Sequence, residues 1–239
     1  MNILQKINNK QKDLIHNGPI TIAFLGDSVT QGCFECYLTS ETSLETVFDY
    51  KSAFSTRLKE IINILYPNVQ INIVNSGISG DGSANGLKRL ERDVISYNPD
   101  LVVVSYGLND SCSYSLEEYK NNLSAIFSKL KEKNIDFIFL TQNAMCTKTS
   151  CHLKDHLFKN LSIDFAKIQN SGKLASYFDV AKKTTKEYNG KVCDLYPVWE
   201  KMIENGVDTT ELLANKLNHP IREFHYYIAI KLLETMFSD

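Results

Sequence analysis

The sequence predicts an α/β protein in which a five-stranded parallel sheet lies between two layers of helix. Five short, apolar, β-branched runs alternate with longer stretches of helical periodicity, which is the pattern of repeated βα units. The runs are apolar at nearly every position, as strands buried on both faces require. No linker, low-complexity segment or internal repeat interrupts the alternation, so residues 1–239 are expected to form one domain.

The expected strands are Thr21 to Leu25, Gln70 to Asn75, Asp100 to Ser105, Asp136 to Thr141 and, with the shortest apolar run, Lys191 to Leu195. Between them the spacing predicts helices near Ser52 to Leu65, Ser83 to Tyr97, Ser115 to Lys133, His156 to Asn189 with a break near Gly172, and Val198 to Asn205. A last helix is expected from about Ile221 to Phe237. Asn68, Asn98 and Asn134 fall just past helical stretches, and Pro67 and Pro99 mark two of the stops. These elements assemble into a three-layer α/β/α sandwich of the flavodoxin-like sort.

Composition narrows the function. The formal net charge of -2 is spread along the chain without a basic stripe, so nucleic acid is not an expected partner. The longest strongly apolar stretches are Ile20 to Leu25, Leu101 to Val104 and Phe137 to Leu140, all too short to span a bilayer. The first residues stay polar through Asn17, without a secretory apolar segment, which predicts a cytoplasmic protein whose six cysteines remain thiols. Cys33 and Cys36 form a lone C-x-x-C, and a metal site needs about four ligands, so neither metal nor cofactor is expected.

In open parallel sheets ligands bind beyond the carboxyl ends of the strands. Gly26-Asp27-Ser28 follows the first strand, Asn75-Ser76-Gly77 ends the second, Gly107-Leu108-Asn109-Asp110 follows the third, and His219-Pro220 precedes the last helix. Ser28 stands at the start of a helical turn, where its hydroxyl can project and its N–H is free. His219 can supply the base without which a serine hydroxyl is inert at neutral pH. The N–H groups of Ser28 and Gly77 and the side chain of Asn109 can form an oxyanion hole, with fixed donors commonly worth about 3–4 kcal/mol each.

These four blocks, in order over residues 26 to 219, resemble those of the SGNH or GDSL-type hydrolase superfamily. The resemblance implies a flavodoxin-like fold, a Ser28 nucleophile, oxyanion donors at Ser28, Gly77 and Asn109, a His219 base and a small-molecule ester as substrate. The superfamily usually carries Asp three residues before the histidine, and this chain has Lys216 there. The group that orients the imidazole is then the Asn215 side chain, Asp194 at the end of strand five, or a backbone carbonyl. A serine–histidine dyad still works as a hydrolase, because the third member orients and stabilises but does not transfer the proton.

Plainer roles compete at each position. Asp27 and Asp110 read as loop-fixing and helix-capping carboxylates, and His225 as a packing histidine inside the last helix; Cys151, His152, Asp155 and His156, with the two histidines at i, i+4 spacing, suggest a metal less than a loop role. The long connection from Thr141 to Asp155 suggests a loop lining the substrate. Gly80 to Gly86 gives G-x-G-x-x-x-G, one residue too long for a dinucleotide fingerprint and after the wrong strand. An esterase for a small acyl ester, acetyl above all, is therefore the leading expectation. A lysophospholipase or thioesterase, and a non-catalytic binding module, are the alternatives.

Overall fold

The computed structural model describes residues 3–238. Five parallel strands form the central sheet in the order β4-β1-β5-β6-β7: β1 Ile20–Gly26, β4 Ile71–Gly77, β5 Leu101–Ser105, β6 Asp136–Leu140 and β7 Lys191–Cys193. All four pairings are parallel, with Gly26 level with Gly77 on one side and with Ser105 on the other. The expected strands and their flavodoxin-like order are thus present. From β4 the chain crosses over β1 to reach β5, and at this reversal the strand ends diverge to leave a crevice.

The same reversal sorts the helices. Helix α3 (Phe54–Leu65) packs on α10 (Arg222–Phe237), with α1 (Ile3–Lys12) beside α10. The other layer holds α4 (Ser83–Asp93), α6 (Leu116–Glu132), α7 (His156–Asn170) and α8 (Lys173–Glu187), in contact along the sequence α4–α6–α8–α7. Gly172 separates α7 from α8 in the left-handed region, at φ 76°, where the sequence placed a break. Short helices α5 (Leu108–Ser113) and α9 (Tyr196–Glu204) follow β5 and β7.

Both faces of the sheet are dry. Phe24, Phe139, Ile22 and Val104 are fully buried, and Phe127 of α6 stacks on Phe137 with ring centroids 4.5 Å apart. Each such side chain contributes about 1.5–3 kcal/mol of burial free energy. Helix α1 was not expected from its polar composition. Ile3 and Ile7, one turn apart, are both buried, and two anchoring residues suffice where a helix covers the sheet margin.

The second difference matters more for function. After the one-turn helix α2 (Ser28–Gln31), residues to which the sequence reading assigned no element form an antiparallel hairpin, β2 (Cys33–Leu38) with β3 (Leu44–Phe48). Cys36 faces Thr46 across it, and the register shifts between Cys33 and Cys36. An irregularity of this kind bends a strand and frees backbone groups from the ladder. No helix among the described residues is long and apolar enough to cross a membrane.

Candidate active site

Ser28 opens α2 directly after β1. Asp27 caps that turn, its Oδ1 accepting the Val29 N–H at 3.0 Å, while its Oδ2 accepts from the Gln142 amide at 2.8 Å. Gln142 also takes the Leu108 N–H at 3.1 Å, so one side chain from the end of β6 ties the turns after β1 and β5. Burial pushes the Asp27 carboxyl up to about 7 against these two stabilising bonds. Its role is the structural one the sequence suggested.

His219 approaches from the opposite side on a loop that closes on itself. Leu213 pairs with Pro220, the Ala214 N–H donates to the His219 carbonyl at 2.7 Å, and Ile221 N–H donates to Leu212 at 3.0 Å. Inside the loop, Asn215 Oδ1 accepts the N–H groups of Leu217, Asn218 and His219 at 2.9–3.0 Å. The connection after β6 props this loop from behind, through Asn143 Nδ2 on the Asn218 carbonyl at 2.8 Å and Cys146 N–H on the Leu217 carbonyl at 2.7 Å. That connection was expected to line the substrate. It braces the histidine loop instead, and none of its residues borders the cleft described below.

The two segments meet at Ser28 Oγ and His219 Nε2, 2.9 Å apart and both buried. His219 Nδ1 lies 2.9 Å from the Phe34 carbonyl on β2. A carbonyl only accepts, so Nδ1 carries the proton and Nε2 presents its lone pair to the serine hydroxyl. Burial lowers the His219 pKa to about 4, opposed by the Phe34 bond and the charge of Glu35. The imidazole is therefore neutral near pH 7 and free to take a proton from Ser28.

Neither side chain named as a candidate for orienting the ring does so. Asn215 is committed to the loop backbone, and its Nδ2 donates to Asn218 Oδ1 at 3.0 Å and to Cys36 Sγ at 3.5 Å. Asp194 accepts from Thr141 at 3.0 Å and pairs with Lys182 at 3.1 Å, away from the histidine. The remaining candidate, a backbone carbonyl, is the group found there. Lys216 lies in the left-handed region at φ 59° and bonds Glu211 at 2.9 Å.

Gly77 also needs correction. Its N–H is taken by Asn75 Oδ1 at 3.0 Å, and its α-carbon lies against the backbone of Gln31 so closely that a Cβ would sit 2.2 Å from the Gln31 nitrogen. Gly77 lets α2 pack on β4. Three residues on, Gly80 borders the cleft, holds φ 76°, and its N–H has no partner among the described residues. Asn109 borders it too, with Nδ2 donating one hydrogen to the Asp81 carbonyl at 2.8 Å and keeping the other. The Ser28 N–H, at the first position of α2, has no helical acceptor.

A buried ionic network underlies these donors. Arg89 of α4 meets Asp81 at 2.6 Å, the Gly26 carbonyl at 3.0 Å, the Ser76 carbonyl at 2.5 Å and the Tyr106 hydroxyl at 2.9 Å, joining the ends of β1, β4 and β5. Asp81 thus points inward, into this network. Asp110 Oδ1 accepts the Ser83 N–H at 2.9 Å and so secures the start of α4, a structural role as expected, but it lies inside α5 and is the N-cap of neither helix. His225 lies under the hairpin, its Nδ1 accepting the Phe54 N–H at 3.0 Å and its ring against Phe34, so it is a packing residue.

The cleft over Ser28 and His219 holds about 130 Å³. Ser79, Gly80, Asn109 and Asn218 form its polar side, and Leu44, Leu161, Phe165 and Leu217 its apolar side, with Cys36 and Thr46 of the hairpin between. The six cysteines are free thiols, and burial pushes Cys33 up to about 11. No cluster of three metal-ligating side chains occurs among the described residues.

Residues 24–225, which include every group just described, match the family model for the GDSL-like lipase/acylhydrolase family. The chain belongs to the GDSL-like lipase/acylhydrolase family. Among this family's relatives, an arylesterase of Vibrio mimicus is 31% identical over 71 residues, and an acetylxylan esterase of Geobacillus stearothermophilus 32% over 89 residues. These stretches span 29% and 37% of this chain and only 36% and 39% of the two relatives. Among solved structures, an acetyl xylan esterase superposes with TM-score 0.67 at 20% identity, covering 90% of this chain and 98% of that one. The Geobacillus esterase gives 0.67 at 19% over 92% and 95%, and a lipase/acylhydrolase from Enterococcus faecalis 0.63 at 19% over 90% and 94%. At such identities these structures show the shared fold alone.

Proposed function

We propose that this chain is a serine esterase for small acyl esters, with Ser28 as nucleophile and His219 as general base. The contact that carries the reading is the 2.9 Å approach of Ser28 Oγ to His219 Nε2, with the other ring nitrogen on a backbone acceptor. His219 takes the hydroxyl proton as Ser28 Oγ attacks the ester carbonyl, and returns it to the departing alcohol. Water then enters by the same route to release the acid. The Ser28 and Gly80 N–H groups and the free Asn109 hydrogen receive the developing oxyanion.

Two further facts support a small acyl group. The cleft is well below the roughly 300–1,000 Å³ of pockets that enclose drug-sized ligands. The relatives include esterases named for acetylxylan, so an acetyl ester, on a sugar among others, is the substrate class proposed. Solved variants of the Geobacillus enzyme described as catalytic mutants replace a serine and an aspartate by alanine. The base proposed here works without a carboxylate on its imidazole. Hydrolysis of esters graded from acetyl to decanoyl tests the reading: rates should be greatest for acetyl and fall as the chain lengthens. A peak at decanoyl would favour a lipase-like substrate, and the absence of any turnover a binding module.

A further inference from the structure

The acceptor for His219 Nδ1 lies on β2, far from the histidine in sequence, and something must hold the two segments in register. Three residues beyond His219, at the first position of α10, Arg222 reaches back to β2. Its Nη1 and Nη2 meet Glu35 Oε1 at 2.6 Å and Oε2 at 2.9 Å, its Nε meets Asp49 Oδ2 at 3.0 Å, and its guanidinium lies 4.3 Å over the Phe34 ring. Asp49 follows β3 and donates its N–H to the Gly32 carbonyl at 2.9 Å, at the end of the turn that Ser28 begins.

We propose that Arg222, through Glu35 and Asp49, is the positioning residue that sets the Phe34 carbonyl against His219. The proposal rests on the base role of His219. Two links join the same two segments side by side: His219 to the Phe34 carbonyl, and Arg222 to the adjacent Glu35. A guanidinium bonded in parallel to both carboxylate oxygens fixes direction as well as distance, which a single-point cation does not. The third bond, to Asp49, pins the base of the hairpin. Without these links β2 meets the histidine loop through the long Asn215–Cys36 contact at 3.5 Å and the packing of Phe34 on His225, and its pairing with β3 shifts register between Cys33 and Cys36.

The chemistry requires such a fixture. A carboxylate beside the imidazole attracts its proton by charge as well as by direction, whereas a bond to a neutral carbonyl weakens as the N–H turns away from it. Lys216 stands where the superfamily resemblance places that carboxylate, so the in-line carbonyl is what selects the productive tautomer. Glu35 adds a negative charge near the ring. The clamp side chains are about a third to a half exposed. Surface pairs contribute little to folding, so removing this one should disturb alignment more than stability.

The experiment compares wild type, Arg222→Ala, Arg222→Lys, Glu35→Gln and Ser28→Ala on one acetyl ester, with kcat taken per site titrated by a serine-directed reagent for all but the last. Arg222→Ala should lose about 10- to 100-fold in kcat, as misplaced catalytic groups do, with KM within about threefold of wild type. Arg222→Lys should fall between. In ¹⁵N-histidine spectra the His219 signals should move from the Nδ1–H tautomer in wild type to a mixture in Arg222→Ala, a change that loss of stability alone does not produce. Unchanged kcat and tautomer in folded Arg222→Ala would overturn the proposal. Should that variant not fold, Glu35→Gln decides on the same readouts, with the same two outcomes. Full activity in Ser28→Ala would instead overturn the esterase mechanism itself, leaving the tautomer spectra to judge the clamp.

Discussion

The two sides of the cleft are built on different principles. The side carrying Ser28, Gly80 and Asn109 rests on the ends of three sheet strands locked by a buried cation, Arg89, with every guanidinium nitrogen bonded. The side carrying His219 rests on a self-closed loop and a bent hairpin, joined by one backbone carbonyl, a long Asn215–Cys36 contact and a partly exposed clamp. Charge stabilisation needs donors fixed to a few tenths of an ångström, which a sheet provides. Proton transfer needs a ring held in one tautomer, and a loop can do that if its acceptor is held too.

Substitutions can break this contrast. Ser28→Ala should remove the reaction almost completely, lowering kcat by about three orders of magnitude or more while the thermal transition stays near that of wild type. His219→Ala should lose about a thousandfold, because only the histidine moves the proton. On the sheet side Asn109→Ala should lower kcat about 100-fold with little change in KM, as a donor tightened in the transition state does. Arg89→Met should act chiefly on folding, costing about 3–5 kcal/mol in urea unfolding because it strands the buried Asp81 carboxylate. If Arg89→Met instead unfolded like wild type, the rigidity ascribed to that side would be wrong. Asp194→Ala, remote from both sides, should keep kcat within about threefold.

Acid should separate the two histidines' contributions from the chemistry. The His219 pKa is lowered to about 4 and that of His225 to about 3, both from 6.5 and both mainly by burial. Folding then favours the neutral rings, so their stabilisation is complete above pH 6.5 and is lost as pH falls through about 4 and 3. The acid limb of kcat/KM should lie near pH 4, well below the usual histidine value, and unfolding midpoints should already decline below pH 6.5. An activity limb at 6.5 would mean a solvated base.

The strands and most helices were legible because burial on both faces writes itself into residue type. The proposed pair, Ser28 and His219, was legible because hydroxyl and imidazole chemistry is carried by residue type. The Phe34 carbonyl was not, since every residue carries one and only the bend of β2 aims it. The hairpin itself carries a signal in the sequence: Phe34, Tyr37, Thr46, Val47 and Phe48 are strand formers around the polar turn Thr39 to Ser43. Gly77 and Gly80 look alike as letters. What separates them is Asn75, whose side chain bends back onto the nearer N–H, and the positive φ of the farther one.

The main-chain acceptor also bears on what sequence change can do to this protein. A carboxylate partner can be deleted by one codon, whereas no side-chain replacement at position 34 deletes the carbonyl. Position 216 is then available to a lysine in a left-handed turn, paired with Glu211 for the loop's own stability and carrying no catalytic duty. Descendants of such a chain could vary this position freely, while displacement of the hairpin would be the change that extinguishes activity.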